Sequence, residues 1–297
     1  MSASRLFVSS HRLPWSGGDV LPRLLLVALT WGLASAPAAA QHVPRRIVSL
    51  APSVTEVLFS AGVGARVAGV TSYCRYPREV LWLPKVGGYL TPSYEALVAL
   101  QPDLVVTLAE HADIEPRIRA LGIPILRLDH RSLDGIARSI ELVGQRCGAA
   151  RSAQQAADAL RGTLASVKRR AAGGARPRVL ICFGRAEDFR RLTAAAPGTI
   201  HHDLITQAGG VNVLTSPAIA YPTLSAEGVM RLDPDVIIEL SPGGDAAALR
   251  RQWSRLDSVR AVRNGRVYVF TGEFLSVPGP RFARFSETIA RSIRGEG

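Results

Sequence analysis

One stretch of this chain occurs twice, and that repetition limits its possible folds more than any other feature. Ser93-Tyr-Glu-Ala-Leu-Val-Ala-Leu-Gln-Pro-Asp-Leu-Val-Val106 returns as Ser225-Ala-Glu-Gly-Val-Met-Arg-Leu-Asp-Pro-Asp-Val-Ile-Ile238. The offset is 132 residues throughout, and Arg46-Ile-Val maps onto Arg178-Val-Leu at the same offset. Repetition at a fixed spacing marks a repeated structural unit. Each copy reads as a serine-capped short helix with Glu in its first turn, followed by a Pro-Asp turn into a buried strand. The chain is therefore expected to form two related lobes. Tyr89 and Tyr221 each stand six residues before the repeated glutamates, Glu95 and Glu227, so an aromatic loop belongs to the pattern.

Around these motifs, short β-branched runs alternate with helical periods, the signature of parallel α/β sheets. Strands are predicted at 46–50, 67–70, 103–108, 123–128 and 178–183. Ser53 and Glu56 have the spacing of a capping box for the first helix, which Gly62 would end. A second helix spans 114–121 and stops at Gly122. From Arg151 to Ala172, Ala153, Ala156, Ala157, Leu160, Leu164 and Val167 recur on one helical face. That predicts one rod of about 33 Å between the lobes, stiffer than any flexible linker. The fold class is thus α/β, with two Rossmann-like lobes of parallel sheet joined by one long rigid backbone helix. The predicted boundaries are 1–40 for an export signal, 41–150 for the N-terminal lobe, 151–173 for the bridging helix and 174–297 for the C-terminal lobe.

The export signal rests on Arg5, Arg12 and Arg23, an apolar run from Leu24 to Leu33, and the small residues Ala34 to Ala40. That run falls well short of the roughly 20 residues needed to span a bilayer. Cleavage is expected after Ala40, giving a free periplasmic protein, since no cysteine follows to accept lipid. The full chain of 297 residues carries a net charge of +12; removing the first forty leaves +10, because three arginines and Asp19 go with them. The arginines are scattered, which argues against a nucleic-acid partner. Of the three cysteines, Cys182 reads as a small buried group, and Cys74 with Cys147 is the pairing expected if any disulfide forms.

Motifs for bond-making chemistry do not appear. There is no G-x-S-x-G elbow, H-E-x-x-H pair or phosphate-cradling G-K-[ST]. Gly62-Val-Gly64 follows a helix rather than a strand, so it lacks the context of a dinucleotide fingerprint. His111, His130, His201 and His202 do not have metal-site spacing, so no metal and no cofactor is expected. Catalysis through a metal on His201 or His202 is the reading from a different functional class. Tyr73 and Tyr76, in Thr71-Ser-Tyr-Cys-Arg-Tyr-Pro77, lie just past a strand end, where open α/β sheets bind ligands.

Taken together, Arg46 to Glu56, Tyr73 to Pro77, Tyr94 to Asp103 and Ser225 to Asp235 resemble the periplasmic cobalamin and iron-siderophore binding proteins of ABC importers. The resemblance covers the chain from about residue 45 onward. It implies a ligand held in the cleft between the lobes, only modest closure, and a monomer that delivers a small molecule to an inner-membrane permease dimer. Glu95 and Glu227 match the acids that dock on permease arginines. Tyr73, Tyr89 and Tyr221 match aromatic cleft positions, and Glu273 and Phe274 match an acid and an aromatic in another cleft loop. Val277 stands where that loop carries a basic residue, and Arg281 is the candidate replacement. The implied ligand is cobalamin-like. Haem, with an axial Tyr or His, is the alternative, as is a ferric siderophore, for which Arg75 and Arg185 are the loop cations available.

Overall fold

The computed structural model describes residues 42–184 and 189–296. The expected export signal and Arg185 lie outside the described residues. Val43–Gly297 forms one compact unit built on two sheets.

The first sheet and its helices run β1 (Ile47–Ser49), α1 (Pro52–Ser60), β2 (Val67–Val70), α2 (Tyr94–Ala99), β3 (Leu104–Leu108), α3 (Glu115–Ala120), β4 (Ile125–Leu128) and α4 (Leu133–Arg146). The strand order is β2-β1-β3-β4, and every pairing is parallel. All five residues of β3 are buried, which is why four of them are apolar without alternation and why the fifth, Thr107, donates its hydroxyl to Glu115 at 2.8 Å.

After α5 (Ala150–Ala171), the second sheet comprises β5 (Arg178–Phe183), β6 (Leu192–Ala194), α6 (Ile200–Gln207), β7 (Val211–Asn212), β8 (Thr223–Leu224), α7 (Ala226–Leu232), β9 (Val236–Ser241), α8 (Ala246–Gln252), α9 (Arg260–Arg263), β10 (Val267–Thr271) and α10 (Pro280–Arg294). The order is β10-β9-β5-β6-β8, with β7 also beside β5. Strands β7, β5, β9 and β10 repeat the parallel plan of the first sheet, while β6 and β8 are antiparallel additions.

The sequence repeat reappears atom by atom. Ile47 pairs with Leu104 and Val179 with Val236, at the same offset. The Arg46 amide donates to Asp103 Oδ1 at 2.9 Å, and the Arg178 amide to Asp235 Oδ2 at 2.8 Å. Return bonds run from the Asp103 and Asp235 amides to the Arg46 and Arg178 carbonyls. Ser93 Oγ caps α2 and Ser225 Oγ caps α7. Gln101 (φ 44°) and Asp233 (φ 41°) both take the left-handed conformation. That conformation costs a non-glycine residue roughly 1 kcal/mol or more and persists where the surroundings over-determine it. Here the Pro-Asp clasp onto the first strand does so.

Helix α5 buries Ala153, Ala157, Leu160, Leu164 and Val167, the expected face. It packs on α4 from one side of the chain and on α6 and α10 from the other. Close approach is needed: a Cβ at Gly144 of α4 would lie 2.2 Å from the Ala153 Cβ. One buried cluster therefore includes Ile47 and Val106, Leu160, and Val179, Ile238 and Ile289, so both sheets share a core.

Two expectations need correction. Ser53 does not cap α1: the cap is Ala51, because Pro52 supplies a preset helical φ at the first position and starts the helix earlier. Ser53 Oγ is left to bond His130 Nδ1 at 2.9 Å, and Glu56 turns toward Arg281. The Cys74–Cys147 pairing is also absent, since all three cysteines are free and buried. The Cys74 sulfur is held by the Thr55 and Thr71 hydroxyls at 3.2 Å, and burial raises the Cys147 pKa.

Candidate functional site: an aromatic cleft

In parallel α/β units the helices run antiparallel to the strands. The starts of α2 and α7 therefore lie at the edge where β3 and β9 end, as do the loops after β2, β5 and β10. This carboxyl edge is where such sheets collect ligands. All the described residues expected to line the cleft fall on it.

On the first sheet, Tyr73 follows β2 and is 62% exposed. Tyr89 is half-buried and fixed in place: its carbonyl lies 2.9 Å from His111 Nε2, and its ring meets the imidazole edge-on at 4.9 Å. The Leu108 amide donates to His111 Nδ1 at 2.9 Å, so the neutral ring carries its proton on Nε2 and donates it to Tyr89. Burial lowers the His111 pKa and keeps the ring neutral. The Tyr89 hydroxyl is pushed up to about 12, first by burial and then by the Glu110 carboxylate.

On the second sheet, Tyr221 is 44% exposed and packs edge-on against Phe183 at 5.5 Å and His201 at 5.9 Å. His201 also meets Phe282 at 5.3 Å. Phe285 extends the cluster to Phe270 and Phe274. Among the described residues His201 Nδ1 is enclosed without a hydrogen-bond partner, and burial lowers the pKa of the ring to about 4. Burial and then Glu110 raise the Tyr221 pKa too. One carboxylate on the first sheet thus acts electrostatically on a tyrosine from each side of the cleft.

Two contacts tie helices of the two halves together. Buried Glu56 of α1 receives Arg281 of α10 at 2.6 and 2.9 Å, and the same guanidinium lies 3.9 Å above the Tyr76 ring and 5.8 Å from Phe274. Burial raises the Glu56 pKa against the opposing effect of Arg281. The Leu133 amide at the start of α4 donates to Asp203 of α6 at 3.1 Å. Arg281, considered from sequence as a cleft cation, is therefore engaged by a buried acid. Glu273 pairs with Arg75 at 3.8 Å, both exposed, a contact worth at most about 1 kcal/mol.

Glu95 and Glu227 are exposed at equivalent helix starts. Its own amide, then Ser93, lowers the Glu95 pKa; for Glu227 the Ser225 hydroxyl leads and its own amide follows. Both are ionised at neutral pH. Sequence reading missed Phe183, His201, Phe282 and Phe285 as one cluster, as well as Glu110 and the bond from His111 to Tyr89. The i, i+3 spacing of Phe282 and Phe285 was the available signal. Among the described residues, no group of three or more His, Cys, Asp or Glu is placed to hold a metal, and no helix is long and apolar enough to cross a membrane.

Comparison with known proteins adds independent weight. The vitamin B12-binding protein of Salmonella paratyphi A is 31% identical over 80% of this chain and 84% of its own. An ABC transporter substrate-binding lipoprotein of Bacillus subtilis is 27% identical over 84% of this chain and 80% of its own. The crystal structure of the periplasmic vitamin B12 binding protein of Vibrio cholerae superposes with a TM-score of 0.74 at 28% identity, covering 84% of this chain and 96% of that one. The periplasmic heme-binding protein of Roseiflexus sp. RS-1 gives 0.72 at 27% identity, covering 84% and 98%. A family model described as periplasmic binding protein matches residues 47–273, almost the whole span of the two sheets. With its duplicated parallel frame and ring-lined carboxyl edge, this chain belongs to the periplasmic binding protein family.

Proposed function

We propose that the chain is the exported solute-binding protein of an ABC importer, that it holds a cobalamin-class corrinoid at the aromatic edge, and that it releases this ligand to a permease. The observation that carries this reading is the pair Tyr89 and Tyr221, related by the repeat offset of 132 residues, with Glu110 among the groups that raise the pKa of both. Tyr73, Tyr89, Tyr221 and Phe274 supply flat apolar faces with polar tips, suited to a wide amphipathic ligand. Glu273 and Glu110 supply acceptors for amide-like donors. The similarity to vitamin B12-binding proteins supports the same ligand class. The Glu56–Arg281 and Leu133–Asp203 contacts, with α5 behind them, oppose wide opening, so exchange proceeds through loop movement.

No residue is assigned a catalytic role, and no resident cofactor is needed. A second reading, haem as ligand, is favoured by the tyrosines and by the enclosed, unpartnered nitrogen of His201. The test is equilibrium titration of mature protein with cyanocobalamin and with haemin, followed by absorbance. Micromolar or tighter binding of cyanocobalamin is expected, reduced at least roughly tenfold in Tyr221→Ala. Haemin binding with no corrinoid binding replaces the first reading by the second, and binding of neither ends both. Mass analysis of the exported protein locates the cleavage, expected after Ala40.

A further inference from the structure

Helices α2 and α7 each carry two neighbouring apolar residues with opposite fates. Leu97 and Val229 are fully buried, as the sheets require. Val98 and Met230, the next residues, are 51% and 39% exposed. They too are related by the offset of 132 residues, and each stands three residues after the exposed glutamate of its own helix. Residues at i and i+3 share a helix face. Each lobe therefore presents one carboxylate and one apolar side chain together, at matching places.

A single exposed Val or Met calls for no explanation. Recurrence is different. The two helices share only Glu among their aligned residues from Tyr94 to Ala99, yet both keep an apolar group at this outward position, where it adds nothing to either core. We propose that Val98 and Met230 are the apolar half of a two-point docking surface whose charged half is Glu95 and Glu227. The occupant is the membrane permease, which would present a basic side chain beside an apolar contact to each lobe. This rests on the importer reading above. Exposed ion pairs guide encounter and register more than they hold a complex together, whereas desolvated apolar contacts slow its dissociation.

The experiment measures binding of dye-labelled mature protein to permease-containing membrane vesicles from source cells, together with cyanocobalamin binding and thermal stability of each variant. Val98→Ser/Met230→Ser should weaken vesicle binding roughly tenfold, with each single change contributing similarly and with ligand affinity and melting unchanged. At about 0.5 M salt, where charge pairs are screened, wild type should retain binding that the double variant lacks. Wild-type vesicle binding in the double variant, alongside loss in Glu95→Lys/Glu227→Lys, overturns the apolar half and leaves the importer reading standing. Vesicle binding unaffected by either pair of changes overturns both.

Discussion

Ile47 lies beside Leu104 in the first sheet and Val179 beside Val236 in the second, each pair closed by an aspartate that takes the amide of an arginine. The cleft rims built on those frames are unlike. The first sheet offers separate tyrosines, one tied to His111, and the exposed acid Glu110. The second offers a continuous ring cluster from Phe183 through His201 to Phe285. Duplication preserved what a parallel sheet needs to close and left the rim to diverge. Frame positions should therefore respond to substitution alike in the two lobes, and rim positions should not.

The largest effect should come from the contact that belongs to neither lobe alone. Arg281→Met leaves Glu56 buried and unpaired, which should cost about 3 to 5 kcal/mol in urea unfolding. The loss should ease as pH falls and the carboxyl takes up a proton.

Next come two imidazoles, one taken from each lobe. His130 and His201 are each lowered to about 4 by burial, against an ordinary value of 6.5. Between those values the unfolded chain binds more protons than the folded one, so stability is full above about pH 6.5 and declines toward pH 4. The decline should be on the order of 3 kcal/mol for His130, which is buried, and less for His201, which as a whole residue is only half-buried. His130→Gln should therefore flatten the pH dependence of unfolding more than His201→Phe does. Equal flattening would mean that the two rims are more alike than their contacts indicate.

Smaller and matched effects test the frame. Asp103→Asn and Asp235→Asn should each cost about 2 kcal/mol, through weakened charge-assisted amide bonds, since each carboxylate also has a second partner at 2.7 Å, the Arg45 amide for Asp103 and Arg260 for Asp235. Ser93→Ala and Ser225→Ala should each cost about 1 kcal/mol for a lost helix cap. A clear inequality within either pair, measured by chemical denaturation, would break the equivalence of the two copies.

The frame could be read in the sequence because its tasks are local: a serine to cap, a proline to end, an aspartate to close. Strands β2 and β5 fall at the predicted residues, and α5 is displaced by one. The ring cluster could not be read, since Phe183, His201, Tyr221 and Phe282 come from four separate segments with no shared period. Ser53 and Glu56 show the opposite failure. Their spacing satisfies a local rule, yet Glu56 binds an arginine 225 positions away. The cysteine pairing failed for a related reason, because Cys74 is satisfied by two neighbouring threonines.

Helix α5 places one stripe of Ala153, Ala157, Leu160, Leu164 and Val167 against helices from both sheets, within a single buried cluster. Neither repeat can then be liberated as an autonomous mini-protein. Severing the chain on either side of that rod strands an oily seam in water, so the fused gene encodes an obligate pair whose halves melt together.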